Sequence, residues 1–284
     1  MSGENVVAKS NRLVEASYRL TLVEQQMILF AICRAREEQK GLSADDWLTI
    51  DSKAFAAAFN TDPKNAYRQL NEAAETLYDR SITMYDTVGD TRRIETRWIS
   101  AKAKIDARGQ VQIIFAPVVI PYLTRLEVEF TSYRLEKIGK LSSAYAVRLY
   151  ELLVQYVSLG KREFELIDLR KTLGLEWEYP AIKNLKERVI DIAVKQINAH
   201  TDITTSYTQQ RTGRTITHLT FAIKLKPATP TAKPAKRATP KTAPQAALPV
   251  SDTETAKAQA HIKKLKAILK PKTALPAESQ RDLF

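Results

Sequence analysis

The chain has 284 residues, is 44% hydrophobic and carries a formal net charge of +12. That length holds one large domain or two small ones with real cores, and the positive balance suits a polyanion, nucleic acid before an acidic membrane surface. A lone cysteine, Cys33, excludes an intramolecular disulfide, and no apolar run approaches the roughly 20 residues of a membrane span.

Glu4, Glu15, Arg19 and Glu24 do not read as a secretory leader, so a cytoplasmic protein without membrane contact is expected. Leu13, Leu20 and Met27 lie seven apart, yet three positions fall short of a coiled coil, and Leu22, Ile28 and Ile32 point to ordinary core packing. A helix is predicted over 22–37, its apolar run including Cys33 as a buried thiol. A short strand follows at 47–50, then a short helix with Phe55 and Phe59, a turn at Thr61-Asp62-Pro63, and a longer helix over 64–77. A strand at 81–86, a turn centred on Gly89 and a strand at 94–101 close the first half.

The second half repeats this order. A helix over 143–158 carries Ala146, Leu149, Leu152, Leu153 and Tyr156; a strand follows at 163–166, then a short helix with Leu169 and Leu173. A turn at 176–180 leads to a helix over 181–199, then strands at 203–209 and 215–223 around Gly213. Leu70 and Leu77 match Leu185 and Ile192 at an offset of 115 residues, although identity between the halves is low.

Helix, short strand, helix, turn, helix, β-hairpin is the order of a winged helix, in which the second helix of the pair can enter the major groove and the hairpin can reach phosphates. The fold class is therefore α+β, two tandem winged-helix domains followed by a disordered Pro/Lys-rich tail. The second candidate reading helix has a core stripe of Ile182, Leu185, Val189 and Ile192, leaving Lys183, Asn184, Lys186, Glu187 and Arg188 off it. Asn pairs bidentately with adenine, Arg or Lys with guanine, and Glu accepts from cytosine. Arg211 and Arg214 flank Gly213 in the second wing, where they would meet phosphates. The first domain offers Lys64, Asn65, Tyr67, Arg68 and Asn71 on its helix and Arg92 and Arg93 near its wing. Glu72, Glu75 and Asp79 thin its basic face, so the second domain is expected to carry more base specificity.

Residues 5–16, followed by Leu20-Thr21 and Glu24-Gln25, then Phe130-Thr131-Ser132-Tyr133 and Leu141-Ser142-Ser143-Ala144-Tyr145-Ala146-Val147-Arg148-Leu149-Tyr150-Glu151-Leu152-Leu153, resemble the Rep initiators of iteron-containing, theta-replicating plasmids. The resemblance spans 5–226. It implies two winged-helix domains, bacterial monomers bound to directly repeated double-stranded origin DNA, and homodimers that repress their own gene at an inverted repeat. It also implies melting of an AT-rich segment and recruitment of the host initiator ATPase and replicative helicase. In the family the first domain, placed at 1–125, dimerises, and the second, placed at 126–226, dominates base reading. Glu187 departs from relatives with consecutive arginines at the corresponding positions.

The tail, 227–284, holds six prolines between 227 and 250, and its 11 Lys and Arg against 4 Asp and Glu give it +7 of the chain's +12. It reads as an extended linker with a basic amphipathic helix at 252–270, opened by the capping-box spacing Ser251-Asp252-Thr253-Glu254. The final Gln280-Arg281-Asp282-Leu283-Phe284 resembles the pentapeptide by which bacterial replication proteins bind the sliding clamp, with Gln280, Asp282, Leu283 and Phe284 in the recognised positions. No catalytic site, metal site or cofactor is expected: His200, His218 and His261 lack ligand spacing, and Gly139 and Gly160 belong to no phosphate-binding loop. Two rivals differ in kind: a winged-helix repressor without an initiation role, and a nicking enzyme using one of the eleven tyrosines.

Overall fold

A computed structural model describes residues 5–86, 92–123 and 129–227. The expected linker beyond 227, the helix at 252–270 and the terminal peptide lie outside the described residues.

The chain starts with strand β1 (Val6–Ser10) and helix α1 (Asn11–Glu15), which Ser10 caps by accepting from the Leu13 amide. Helix α2 (Leu22–Glu38) opens with a capping box: the Thr21 hydroxyl accepts from the Glu24 amide, and the Glu24 carboxylate accepts from that of Thr21. Strand β2 (Leu48–Asp51) runs into α3 (Ser52–Phe59), whose first amides Asp51 caps. Asp62 and Pro63 start α4 (Pro63–Tyr78), a cap followed by a ring already set for helix. Its face Ala66, Leu70, Ala73, Ala74 and Leu77 is buried against α2 and α3. Four strands follow: β3 (Ser81–Asp86), β4 (Arg92–Arg97), β5 (Ile99–Ile105) and β6 (Gln110–Phe115).

Here the structure departs from the sequence expectation. Strand β2 pairs with β6 (Leu48 opposite Ile113) and β6 with β5, an antiparallel sheet in the order β2-β6-β5. The hairpin that completes this winged helix is thus β5–β6, turning at Gly109. The hairpin expected to be the wing, β3–β4, is an insertion that forms its own two-stranded sheet and bridges to Ser17. Alternating polar and apolar residues mark strands but not their partners, so either hairpin fits the pattern.

The second winged helix keeps the order without an insertion: α5 (Ala144–Val154), β8 (Lys161–Glu165), α6 (Leu166–Thr172), α7 (Ile182–Leu185), α8 (Asp191–His200), β9 (Ile203–Thr212) and β10 (Thr215–Leu225), after a strand β7 (Phe130–Arg134). Its sheet order is β8-β10-β9, the counterpart of β2-β6-β5. Leu219, Phe221 and Ile223 alternate inward along β10, the period of two that a half-buried strand requires.

A π-helical turn, Lys186–Ile190, joins α7 to α8. A π-turn holds an extra residue, so the buried face beyond it shifts by one position. Leu185 and Val189 stay buried, but Ile190, Ala193 and Ile197 continue the core and Ile192 is 42% exposed. Ile192, expected in the core stripe, is on the surface, and Ala193 is buried in its place. By contrast Leu13, Leu20 and Met27 are all buried, in α1, a loop and α2, which is core packing. Cys33 is buried as expected.

Both winged helices belong to one compact unit. Strand β1 pairs antiparallel with β7 from Val6 opposite Arg134 to Ser10 opposite Phe130, tying the start of the chain to the entry of the second half. Beneath that pair lies a buried charged cluster. Lys9 Nζ is 2.5 Å from Glu151 Oε1, and the Tyr133 hydroxyl donates to the same oxygen at 2.5 Å. The Arg148 guanidinium lies 3.6 Å from Glu151 and donates to the carbonyls of Val14, Ala16 and Thr172 and to the Tyr18 hydroxyl. Buried charges persist only when paired and hydrogen-bonded, and here the pairing spans both halves of the chain.

Candidate nucleic-acid interface

The exposed side of the second winged helix is laid out by the buried line Leu185, Val189, Ala193 and Ile197, four apart. Residues one position earlier, Asn184, Arg188, Ile192 and Gln196, form the parallel line beside it. Asn184 and Arg188 are exposed, and among the described residues neither side chain has a hydrogen-bond or ionic partner. Gln196 is occupied: its carbonyl oxygen accepts from the amides of Ser142 and Ser143 at the start of α5. Lys183 and Glu187 lie on the neighbouring exposed line, 3.9 Å apart, a weak pair between well-solvated groups.

Lys186 points elsewhere. Its ammonium donates to Gln209 Oε1 on β9 at 3.1 Å and lies 5.8 Å from the centre of the Tyr207 ring. The Tyr207 hydroxyl donates to Asp191 at 2.6 Å, and burial, with that carboxylate, pushes its pKa up. Lys186 and Asp191 thus brace the helix against the hairpin strand, a use the sequence did not reveal.

The wing is the turn between β9 and β10. Gly213 sits there at φ 62°, a left-handed conformation in open space, with Arg211 and Arg214 exposed on either side. Neither arginine has a partner among the described residues. They line a groove together with Ile167 and Arg170 of α6, Pro180, Ile182 and the first residues of β10.

The turn before α7 is held from behind. Arg170 donates to the carbonyls of Glu178 and Tyr179, both at 2.8 Å, and to that of Pro180 at 3.4 Å. Tyr179 adopts φ 50°, unusual for a residue with a side chain, and Glu178 pairs with Arg19. No side chain caps α7, so Arg170 fixes its entry.

The first winged helix presents a different surface. Lys64 is exposed at the start of α4, and Asn65 donates to Asp62 at 3.2 Å. Tyr67 donates to Asp106 and Asn71 is half-buried. Arg68 pairs with Glu72 at 2.8 Å and Arg93 with Glu95 at 3.2 Å. Arg97 lies 3.7 Å from Asp79, while Lys102 and Lys104 both contact Glu75 and hold its carboxyl below its ordinary pKa. Of the sequence-predicted residues, Arg92 lies at the start of β4 and its side chain is not among the described ones; Gln280, Asp282, Leu283 and Phe284 are not described either. Arg188, Arg211 and Arg214 on the second winged helix are thus free cations, whereas on the first Arg68, Arg93, Arg97, Lys102 and Lys104 are matched by carboxylates and Lys64 alone of the residues named here has no side-chain partner among the described residues.

The Lys186–Gln209 and Asp191–Tyr207 brace and the role of Arg170 carry no signal in the sequence, and Ile192 was expected in the core. The meeting of Lys9, Arg148 and Glu151 was equally hidden. Two charges inside an otherwise apolar helix, at 148 and 151, were the available signal. Among the described residues no group of His, Cys, Asp and Glu could hold a metal ion, and no helix is long and apolar enough to cross a membrane.

Sheet order, helix pair and hairpin, twice in one chain, define a tandem winged-helix protein. The chain belongs to the initiator replication protein family: the family's WH1 pattern matches residues 6–154 and its WH2 pattern residues 165–223. An uncharacterised 27.6 kDa protein of Escherichia coli is 24% identical over 217 residues, covering 73% of this chain and 91% of its own length. The PI protein of Escherichia coli is 24% identical over 205 residues, covering 61% and 67%. The same fold occurs in the crystal structure of the Pi initiator protein in complex with iteron DNA, with a TM-score of 0.63 at 19% identity over 80% of this chain and 99% of that one.

Proposed function

We propose that this initiator binds directly repeated double-stranded DNA at a plasmid origin as a monomer, and that the second winged helix, within 126–226, does most of the base reading. The observation that carries this is the contrast between the two exposed faces. Asn184, Arg188, Arg211 and Arg214 stand free on the second, whereas Arg68, Arg93, Arg97, Lys102 and Lys104 on the first are matched by carboxylates. Phosphates are recruited by excess positive charge, and base edges by free donors on a helix that fits the major groove. Lys183 and Glu187 supplement the reading line, and Lys186 supports it from the wing side.

In this scheme the first domain, within 1–125, provides the homodimer contact and auxiliary DNA contacts from Lys64, Asn65, Tyr67, Arg68, Asn71, Arg92 and Arg93. The dimer represses the protein's own gene. On the origin, the energy of binding and bending opens an AT-rich segment, and the host initiator ATPase and replicative helicase are recruited. The tail, 227–284, tethers Gln280, Asp282, Leu283 and Phe284 for a sliding clamp. The protein works on plasmid DNA in the bacterial cytoplasm, without catalysis of its own.

Footprinting of separated monomer and dimer fractions on the replicon that carries this gene tests the scheme. Monomers are expected to protect tandem direct repeats beside an AT-rich segment, and Arg188→Ala to abolish that protection while the protein remains folded. Protection confined to an inverted repeat at the promoter would leave a repressor without an initiation role.

A further inference from the structure

The line Asn184, Arg188, Ile192 has an amide, a guanidinium and then a branched hydrocarbon, each four residues from the last. Ile192 is 42% exposed on the flank of α8, although Ala193 beside it is fully buried. The π-turn at Lys186–Ile190 places it there; without the extra residue the stripe of Leu185 and Val189 would run on through position 192. Beyond the turn the core is completed by Ile190, Ala193 and Ile197. π-Turns recur at functional sites because they redirect side chains. Ile192 is left partly open to solvent, and the residues before it along the line are the two groups best suited to read purines.

We propose that Ile192 is a specificity-determining residue whose side chain meets the 5-methyl group of a thymine in the major groove. The proposal deepens the reading of the second winged helix as the base reader and rests on it. Thymine is the one base that presents an apolar group in the major groove, and an aliphatic side chain is the complement that desolvates it. Arg188, four residues before, would hold the adjoining guanine or phosphate, and the brace from Lys186 to Gln209 keeps the helix from rolling as the contact forms.

The full chain and its Ile192→Ala and Ile192→Val variants are each used to select duplexes from a library with a randomised central segment. Affinities are then measured by fluorescence anisotropy at one fixed salt concentration. The unmodified chain is expected to select a thymine at one position where Ile192→Ala loses the preference and Ile192→Val keeps it. Replacing that thymine by deoxyuridine, which removes only the methyl group, should weaken the unmodified chain about three- to fivefold and leave Ile192→Ala unchanged. An unaltered consensus with Ile192→Ala, or an equal deoxyuridine penalty for both proteins, overturns the role of Ile192 while the base-reading helix stands. Failure of the unmodified chain to select any consensus overturns the base-reading helix itself. Melting temperatures within a degree or two of the unmodified chain show that the variants are folded.

Discussion

At the scale of single residues, burial sets protonation, and Cys33 gives the clearest case. It is 1% exposed, and burial pushes its thiol from an ordinary 9.0 up to about 12. Between those values the folded chain keeps a proton that the unfolded chain has lost, so the stabilisation present below pH 9 drains away as pH rises. One proton is worth about 1.4 kcal/mol per pH unit. Tyr18, Tyr133 and Tyr150, all raised by burial, act in the same direction from about pH 10, and Lys9, lowered by burial, acts in the opposite one. These groups are common to the parent and to Cys33→Ala, so comparing urea unfolding of the two between pH 9 and 10 isolates the thiol. The parent is expected to lose more stability than the variant by about 1 kcal/mol over that unit, because the unfolded thiol there passes from roughly half to nine-tenths ionised; parallel pH profiles would mean that the thiol is not shielded.

At the scale of elements, the entry to the reading helix depends on one arginine. Arg170 satisfies up to three carbonyls across a turn that includes the left-handed Tyr179, and α7 has no side-chain cap of its own. Arg170→Ala removes charge-assisted hydrogen bonds worth roughly 1.5–3 kcal/mol together. The expected outcome is faster amide exchange at 178–184 with the sheet β8-β10-β9 unaffected, read by hydrogen–deuterium exchange. Exchange unchanged in that segment would show that the turn holds by its own packing. This brace was invisible in the sequence, as was the π-turn, because each depends on backbone geometry that periodicity does not encode. Helix positions were legible for the opposite reason: Asp62-Pro63 and the apolar faces of α2, α4 and α5 are local signals. The choice between β3–β4 and β5–β6 as the wing was not, since pairing with β2 is a contact about 60 residues away in sequence, beyond what strand alternation reports.

At the scale of the whole molecule, two winged helices are locked together by β1 on β7 and by the buried Lys9, Arg148, Glu151 and Tyr133, yet their exposed charges differ. A cation already paired with a carboxylate brings no net charge to a phosphate. If DNA displaces Arg68 from Glu72, the freed carboxylate then faces the polyanion and offsets the gain. Each phosphate neutralised by a free cation steepens the fall of log affinity with log salt by about 0.9. Changing Arg211 and Arg214 together to Ala should therefore make the slope shallower by about two, with base preference retained, because phosphates carry no sequence information. Arg68→Ala should change it by less than one. Titrations of one origin fragment from roughly 50 to 200 mM salt, the range in which such slopes are well determined, distinguish these outcomes. A loss for Arg68→Ala as large as for the wing pair would mean that DNA breaks the Arg68–Glu72 pair and spreads over both winged helices. The first domain would then be an equal partner in DNA binding rather than an auxiliary one.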